Sequence, residues 1–145
     1  MTDEELIGEL RFMGIDQASY KVVALLPLVR VAWADGEVQP AERSLIESLA
    51  KEHGLVAGDG ARILRGWLQN APTEDYVRRG HNCLKALAER SGGTFGDTTK
   101  LAEVDEVVAL CHQVARAAGG LFGVLWAFDD RERAAIEEIA RALRA

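Results

Sequence analysis

Apolar residues recur along this chain at the three- and four-residue spacing of amphipathic α-helices. The first such run follows Thr2 and Glu5, which form the sequence pattern of a capping box, and it stops at Gly14. The second run, Asp16 to Ala34, is apolar nearly all round and predicts a central buried helix. Pro27 lies inside this run and lacks a backbone donor, which predicts a bend in that helix.

Further amphipathic runs predict the remaining helices. These runs begin at Pro40, after the capping residues Asp59 and Thr73, near Leu101 and near Asp130. No stretch alternates apolar and polar residues over the length of a strand. The chain is therefore predicted to be all-α, a compact bundle of six to seven helices, and its length of 145 residues predicts a single domain over 1–145.

Two segments of the sequence repeat one another. Val31, Ala32, Ala34 and Gly36 correspond to Val114, Ala115, Ala117 and Gly119, and residues 42–50 correspond to 132–140. The bundle is thus predicted to contain two pseudo-repeated helix-turn-helix pairs. The offset between equivalent positions is 83 before the turn (31 to 114) and 90 after it (42 to 132), so the second turn contains a seven-residue insertion.

Three acidic residues lie in or near the first turn. Asp35 is at the C-terminal end of a predicted helix, where the macrodipole disfavours negative charge, so it needs a compensating partner. Asp35, Glu37 and Glu42 are therefore a candidate site for a hard divalent cation, calcium or magnesium. The structural alternative, which the residue types at these positions favour, is that Asp35 accepts bonds from amides of the turn and Glu42 caps the next helix.

A second acidic group follows the insertion and consists of Asp129, Asp130 and Glu132. These carboxylates complete a shared cation site if the two turns lie side by side. Alternatively, Asp129 or Asp130 caps the last helix, which is the commoner use of an aspartate at such a position.

The insertion is apolar, which is unusual for a loop. Its large side chains are Leu121, Phe122, Leu125, Trp126 and Phe128. They either fold back onto the bundle as part of its core or stay exposed as a binding patch. An exposed patch predicts a protein partner, self-association or contact with a membrane surface.

Composition narrows the classes of function. The chain contains 17 Lys and Arg residues and 23 Asp and Glu residues, and its net charge of -6 argues against a nucleic-acid partner. The acidic start and the lack of a long apolar run predict a cytoplasmic protein without a transmembrane segment. Cys83 and Cys111 are predicted to be reduced thiols in the core. No nucleophile with an evident base and no nucleotide-binding loop is present, so the chain is predicted not to be an enzyme.

The segment from Ala32 to Arg43 resembles the signature turn of the TerB-like family, which includes the tellurite-resistance protein TerB. Its pattern is A-D-G-E and a hydrophobic residue, followed by P-x-E-R at the start of the next helix. The resemblance covers roughly residues 20–143. It implies about seven helices and an acidic, divalent-metal-binding surface, in proteins of tellurite and general stress responses. The second helix pair departs from the pattern, because Ala118 and Gly120 stand where Asp and Glu would be.

The sequence as a whole therefore predicts a non-enzymatic TerB-like stress-response module that binds a divalent cation or a protein partner through the acidic turn. The alternative is a protein-interaction scaffold that acts through the apolar insertion at 121–128, without a metal.

Overall fold

The computed structural model describes residues 1–89, 104–119 and 130–144. These ranges contain seven α-helices, one 3₁₀ helix and no strand, which confirms the all-α prediction. The elements are α1 (Asp3–Phe12), η1 (Tyr20–Leu25), α2 (Leu26–Ala32), α3 (Pro40–Glu52), α4 (Gly60–Gln69), α5 (Glu74–Ala88), α6 (Val104–Gly119) and α7 (Asp130–Arg144). Each helix of these ranges is too short or too polar to cross a bilayer.

Two of the three predicted threonine and aspartate caps are present. The hydroxyls of Thr2 and Thr73 accept hydrogen bonds from the amides three residues further on, each at 3.1 Å, at the starts of α1 and α5. Asp59 occupies the predicted position at the start of α4, but its predicted capping bond is absent. Its side chain accepts no capping hydrogen bond at the start of α4 and instead lies 3.6 Å from the guanidinium of Arg62.

The predicted bent helix from Asp16 to Ala34 is wrong. The chain forms η1 and then a separate helix, α2, whose second residue is Pro27. Amides in the first turn of a helix have no intrahelical acceptor, so the missing N–H of proline costs nothing there. Pro27 therefore begins a helix and does not bend one. Asp16 accepts a hydrogen bond from the amide of Ser19 at 3.0 Å, in the turn before η1.

The central helix of the described structure is α2, which packs against α3, α5, α6 and α7. Its contact with α6 joins the two helix pairs that repeat in the sequence. The equivalent residues Val31 and Val114, like Ala32 and Ala115, are all at most 1% exposed. Residues that correspond in sequence thus occupy the same buried environment.

Gly80 allows α5 to approach α2 closely. A Cβ atom at this position would lie 2.0 Å from Cδ2 of Leu26 and 3.1 Å from Cε of Met13. Both neighbours are buried, Leu26 completely, and protein cores are closely packed, so an added methyl group requires these side chains to shift.

Candidate functional site

The turn between α2 and α3 is closed by its own backbone and by Asp35. Gly36 has a φ of 89°, a left-handed conformation that glycine adopts without strain, and its amide donates to the carbonyl oxygen of Trp33 at 2.8 Å. The carboxylate of Asp35 accepts a hydrogen bond from the amide of Glu37 at 3.2 Å. Asp35 therefore finds its compensating partner within the turn, as the structural alternative predicted.

Glu42 has a structural role at the start of α3. Its side chain is 1% exposed, and its carboxylate accepts a hydrogen bond from the amide of Gln39 at 2.9 Å. This bond is the glutamate half of a capping box and satisfies an amide that the helix leaves unpaired. The predicted capping role of Glu42 is confirmed.

The three acidic residues of this region lie in different environments. Asp35 is half-buried and Glu37 is exposed, whereas Glu42 is enclosed in the core. Within residues 1–89, 104–119 and 130–144, no three histidine, cysteine or acidic side chains come together as a metal site. Cation binding by Asp35, Glu37 and Glu42 stays a prediction that the described geometry does not support.

The other predicted site residues lie outside the part of the chain that the structure describes. The undescribed residues 120–129 include Asp129 and the apolar set Leu121, Phe122, Leu125, Trp126 and Phe128. Asp130 and Glu132 belong to α7, but their side chains are not described. The shared cation site and the apolar binding patch both stay predictions from the sequence.

Two residues of the signature segment, Ala32 to Arg43, donate hydrogen bonds to the C-terminal end of α4. The indole N–H of Trp33 donates to the carbonyl oxygen of Trp67 at 2.8 Å. The guanidinium of Arg43 donates to the carbonyl oxygen of Leu68 at 3.1 Å. The last carbonyls of a helix have no intrahelical donor, and these side chains supply it. Neither role was predicted from the sequence; the available signal was an indole N–H on a core helix, which needs an acceptor.

A second set of hydrogen bonds links the same end of α4 to α1 and α5. The indole N–H of Trp67 donates to the hydroxyl of Tyr76 at 3.1 Å, and that hydroxyl donates to the carbonyl oxygen of Met13 at 2.8 Å. The two rings meet edge to face, with centroids 6.0 Å apart. Hydrogen bonds therefore connect the segment Ala32 to Arg43 through α4 to α1 and α5.

Both cysteines and one of the three histidines, His81, are enclosed in the core. Cys83 and Cys111 are buried free thiols, as predicted, and burial raises the pKa of each to about 12. Burial and, to a smaller extent, the positive charge of Arg30 together lower the pKa of His81 to about 4. At neutral pH these groups are two uncharged thiols and a neutral imidazole.

An open groove lies between α3 and α4, near the loop that joins them. It encloses about 200 Å³. The two helices pack against η1 more closely than against each other, which leaves this space between them. The apolar walls of the groove are Ala50, Val56, Ala61 and Leu64. Its charged rim consists of Glu47, Lys51 and Arg65.

Comparison of the chain with protein-family models, with curated proteins and with solved structures finds no match. The resemblance to the TerB-like family therefore depends on the signature residues 32–43 and on the repeated helix pair.

Proposed function

We propose that this chain is a non-enzymatic, TerB-like helical module that binds a segment of a protein partner in the groove between α3 and α4. The observation that carries the proposal is that one open groove has both apolar walls and a charged rim. Apolar walls that exclude water give a bound segment its affinity, and charges at the rim select among partners.

The placement of the reactive side chains supports binding over catalysis. Cys83, Cys111 and His81 are buried, so these two thiols and this imidazole are not presented to a substrate. A general base works best with a pKa near the operating pH, and burial lowers the pKa of His81 to about 4. Free thiols also suit the reducing cytoplasm, where we place the protein.

Contact between α3 and α4 at the end away from the groove supports a site that is partly formed before binding. Arg43 of α3 is bonded to the carbonyl oxygen of Leu68 in α4, so the two helices are joined at the end opposite the loop. A preorganised groove binds more tightly than one that must form on binding, because less conformational entropy is lost. A role in stress responses is the part of the proposal that depends on the TerB-like resemblance alone.

Blocking the groove tests the proposal. A random peptide library is selected on the protein, and the recovered peptides are measured against two variants. Ala61→Trp adds an indole within the groove, whereas Ala134→Trp adds it at an exposed position of α7. We expect Ala61→Trp to weaken binding at least about tenfold and Ala134→Trp to leave it unchanged. Equal binding to both variants, or a selection that recovers no peptide, would exclude the groove.

Cation binding at the acidic turn has a separate test. Calcium or magnesium is added to millimolar concentration while tryptophan fluorescence, to which Trp33 contributes, and the melting temperature are followed. A shift that the double variant Asp35→Asn and Glu37→Gln abolishes would assign a cation to the turn. Glu42 is left unchanged in this experiment because its capping bond stabilises α3.

The apolar insertion provides the alternative binding surface, on sequence grounds. Phe122 and Trp126 are changed together to serine, and peptide binding and stability are measured. Loss of binding in a folded double variant would move the binding site from the groove to residues 121–128. Unfolding of the variant would instead show that these side chains belong to the core.

A further inference from the structure

The rim of the groove carries two cations and one anion. Lys51 on α3 and Arg65 on α4 share the opening with Glu47, so two positive charges face one negative charge in a chain of net charge -6. At physiological ionic strength the Debye length is about 8 Å, and exposed charges further apart are largely screened. A ligand in the groove therefore experiences mainly the three rim charges, which sum to +1 (two cations and one anion).

Neither cation is engaged within the described ranges of the chain. Arg62, next to the groove, lies 3.6 Å from Asp59. In contrast, neither Lys51 nor Arg65 forms an ion pair or a side-chain hydrogen bond with another described residue. An incoming carboxylate can pair with them without first breaking an internal contact.

The floor of the groove suits an apolar side chain. Ala50 and Leu64 are 1% and 3% exposed, and both belong to the core beneath the opening. A protein cavity of about 150 Å³ is large enough to hold benzene. The groove encloses about 200 Å³, so it accommodates one large aliphatic or aromatic side chain.

From this combination we infer that the groove takes an acidic segment of a partner protein, which inserts one apolar side chain between α3 and α4 and pairs its carboxylates with Lys51 and Arg65. The inference rests on the proposed function, since it names the class of partner for the same site. Apolar contact holds the segment, and the two cations select its charge.

Three synthetic peptides of equal length and identical leucine positions test the charge preference. Their remaining positions carry aspartate and glutamate, lysine, or glutamine. Each is titrated into the protein while the methyl resonances of Ala50 and Ala61 are followed by NMR. We expect the acidic peptide to bind at least about tenfold more tightly than the lysine peptide, and its affinity to fall as salt is added.

Charge variants give the sign of the effect. The double variant Lys51→Glu and Arg65→Glu should bind the acidic peptide about tenfold more weakly and the lysine peptide more tightly. The variant Glu47→Lys should instead bind the acidic peptide about threefold more tightly. All three side chains are exposed, so we expect these variants to keep the fold, which the melting temperature checks.

Several results would overturn the inference. Equal or tighter binding of the lysine or glutamine peptide would show that the groove has no preference for acid. Equal binding of an acidic peptide in which glycine replaces leucine would show that its apolar floor is unused. Light scattering gives the mass of the protein in solution. If this mass is that of two chains, and that of one chain in Ala61→Trp, the groove is occupied by a second copy of the chain. If no peptide of any charge shifts the two methyl groups, the proposed function itself fails.

Discussion

The indole N–H of Trp33 donates a hydrogen bond of 2.8 Å to the carbonyl oxygen of Trp67. It links the end of α2 to the last turn of α4 and satisfies a carbonyl that the helix leaves without a donor. Replacing Trp33 by Phe removes the N–H and keeps an aromatic ring. We expect this change to lower the free energy of unfolding by about 1–3 kcal/mol, measured by urea denaturation followed by circular dichroism.

Arg43→Met is the companion variant, because it removes the bond to the carbonyl oxygen of Leu68 and keeps a long side chain. The two acceptors are consecutive carbonyls, so the double variant should show a coupling of at least about 0.5 kcal/mol. Additive losses, or no loss in Trp33→Phe, would mean that the two donors do not stabilise one structural unit.

Helix boundaries that depend on local chemistry were predictable from the sequence. Thr2 and Thr73 cap helices through amides only three residues away, and Pro40 occupies a first helical position. The segment around Pro27 was wrongly predicted because its apolar residues suit one continuous helix, and the pattern does not show that the proline lies in the first turn of a new one.

The candidate site was less predictable because it depends on contacts between distant parts of the chain. The residue types around the turn were sufficient to predict the roles of Asp35 and Glu42, whose partners lie two and three residues away. Trp33 bonds a residue 34 positions further on. The groove arises because α3 and α4 leave space between them, which no periodicity in the sequence reveals.

Gly80→Ala should be one of the more destabilising single-methyl changes in the protein. The added Cβ would lie 2.0 Å from Cδ2 of Leu26, whose side chain is fully buried. Overpacking of this kind typically costs about 1–3 kcal/mol and forces neighbouring side chains from their rotamers. Thermal unfolding should show a melting temperature lower by several degrees.

Gly66→Ala is the matched control on α4. Outside the backbone of α4 itself and the two neighbouring residues, no atom lies within 4 Å of a Cβ at this exposed position. Alanine has the higher helix propensity, so this variant should gain about 0.5–1 kcal/mol. A loss in Gly66→Ala similar to that in Gly80→Ala would contradict the role of close packing at Gly80.

Glu42→Ala should destabilise the start of α3, because it leaves the amide of Gln39 without its acceptor and opens space in the core. The expected loss is about 1–2 kcal/mol, while Glu42→Gln keeps an acceptor oxygen and should lose less. Glu47→Ala, at an exposed position of the same helix, should change stability by less than about 0.5 kcal/mol. Urea denaturation of the three variants checks this order.

The free energy of unfolding should decrease as the pH is lowered from 6.5 to about 4, because in this range His81 is neutral in the folded protein and protonated in the unfolded chain. Burial lowers the pKa of this imidazole from 6.5 to about 4, so the unfolded chain binds a proton between these values and the folded protein does not. Stability from this residue is complete above pH 6.5 and is lost as the pH falls to about 4. The loss amounts to about 3 kcal/mol at the lower limit.

His81→Leu separates this effect from the titration of the carboxylates. The imidazole Nε2 is buried without a hydrogen-bond partner among the described residues, so leucine removes no such bond at neutral pH. The carboxylates titrate alike in the unchanged protein and in His81→Leu. Their contribution therefore cancels when the unfolding free energies of the two proteins are subtracted. That difference should be constant above about pH 7 and should shift in favour of His81→Leu as the pH falls. A constant difference down to pH 4 would mean that the folded protein accommodates the imidazolium, and that the burial of His81 does not limit stability in acid.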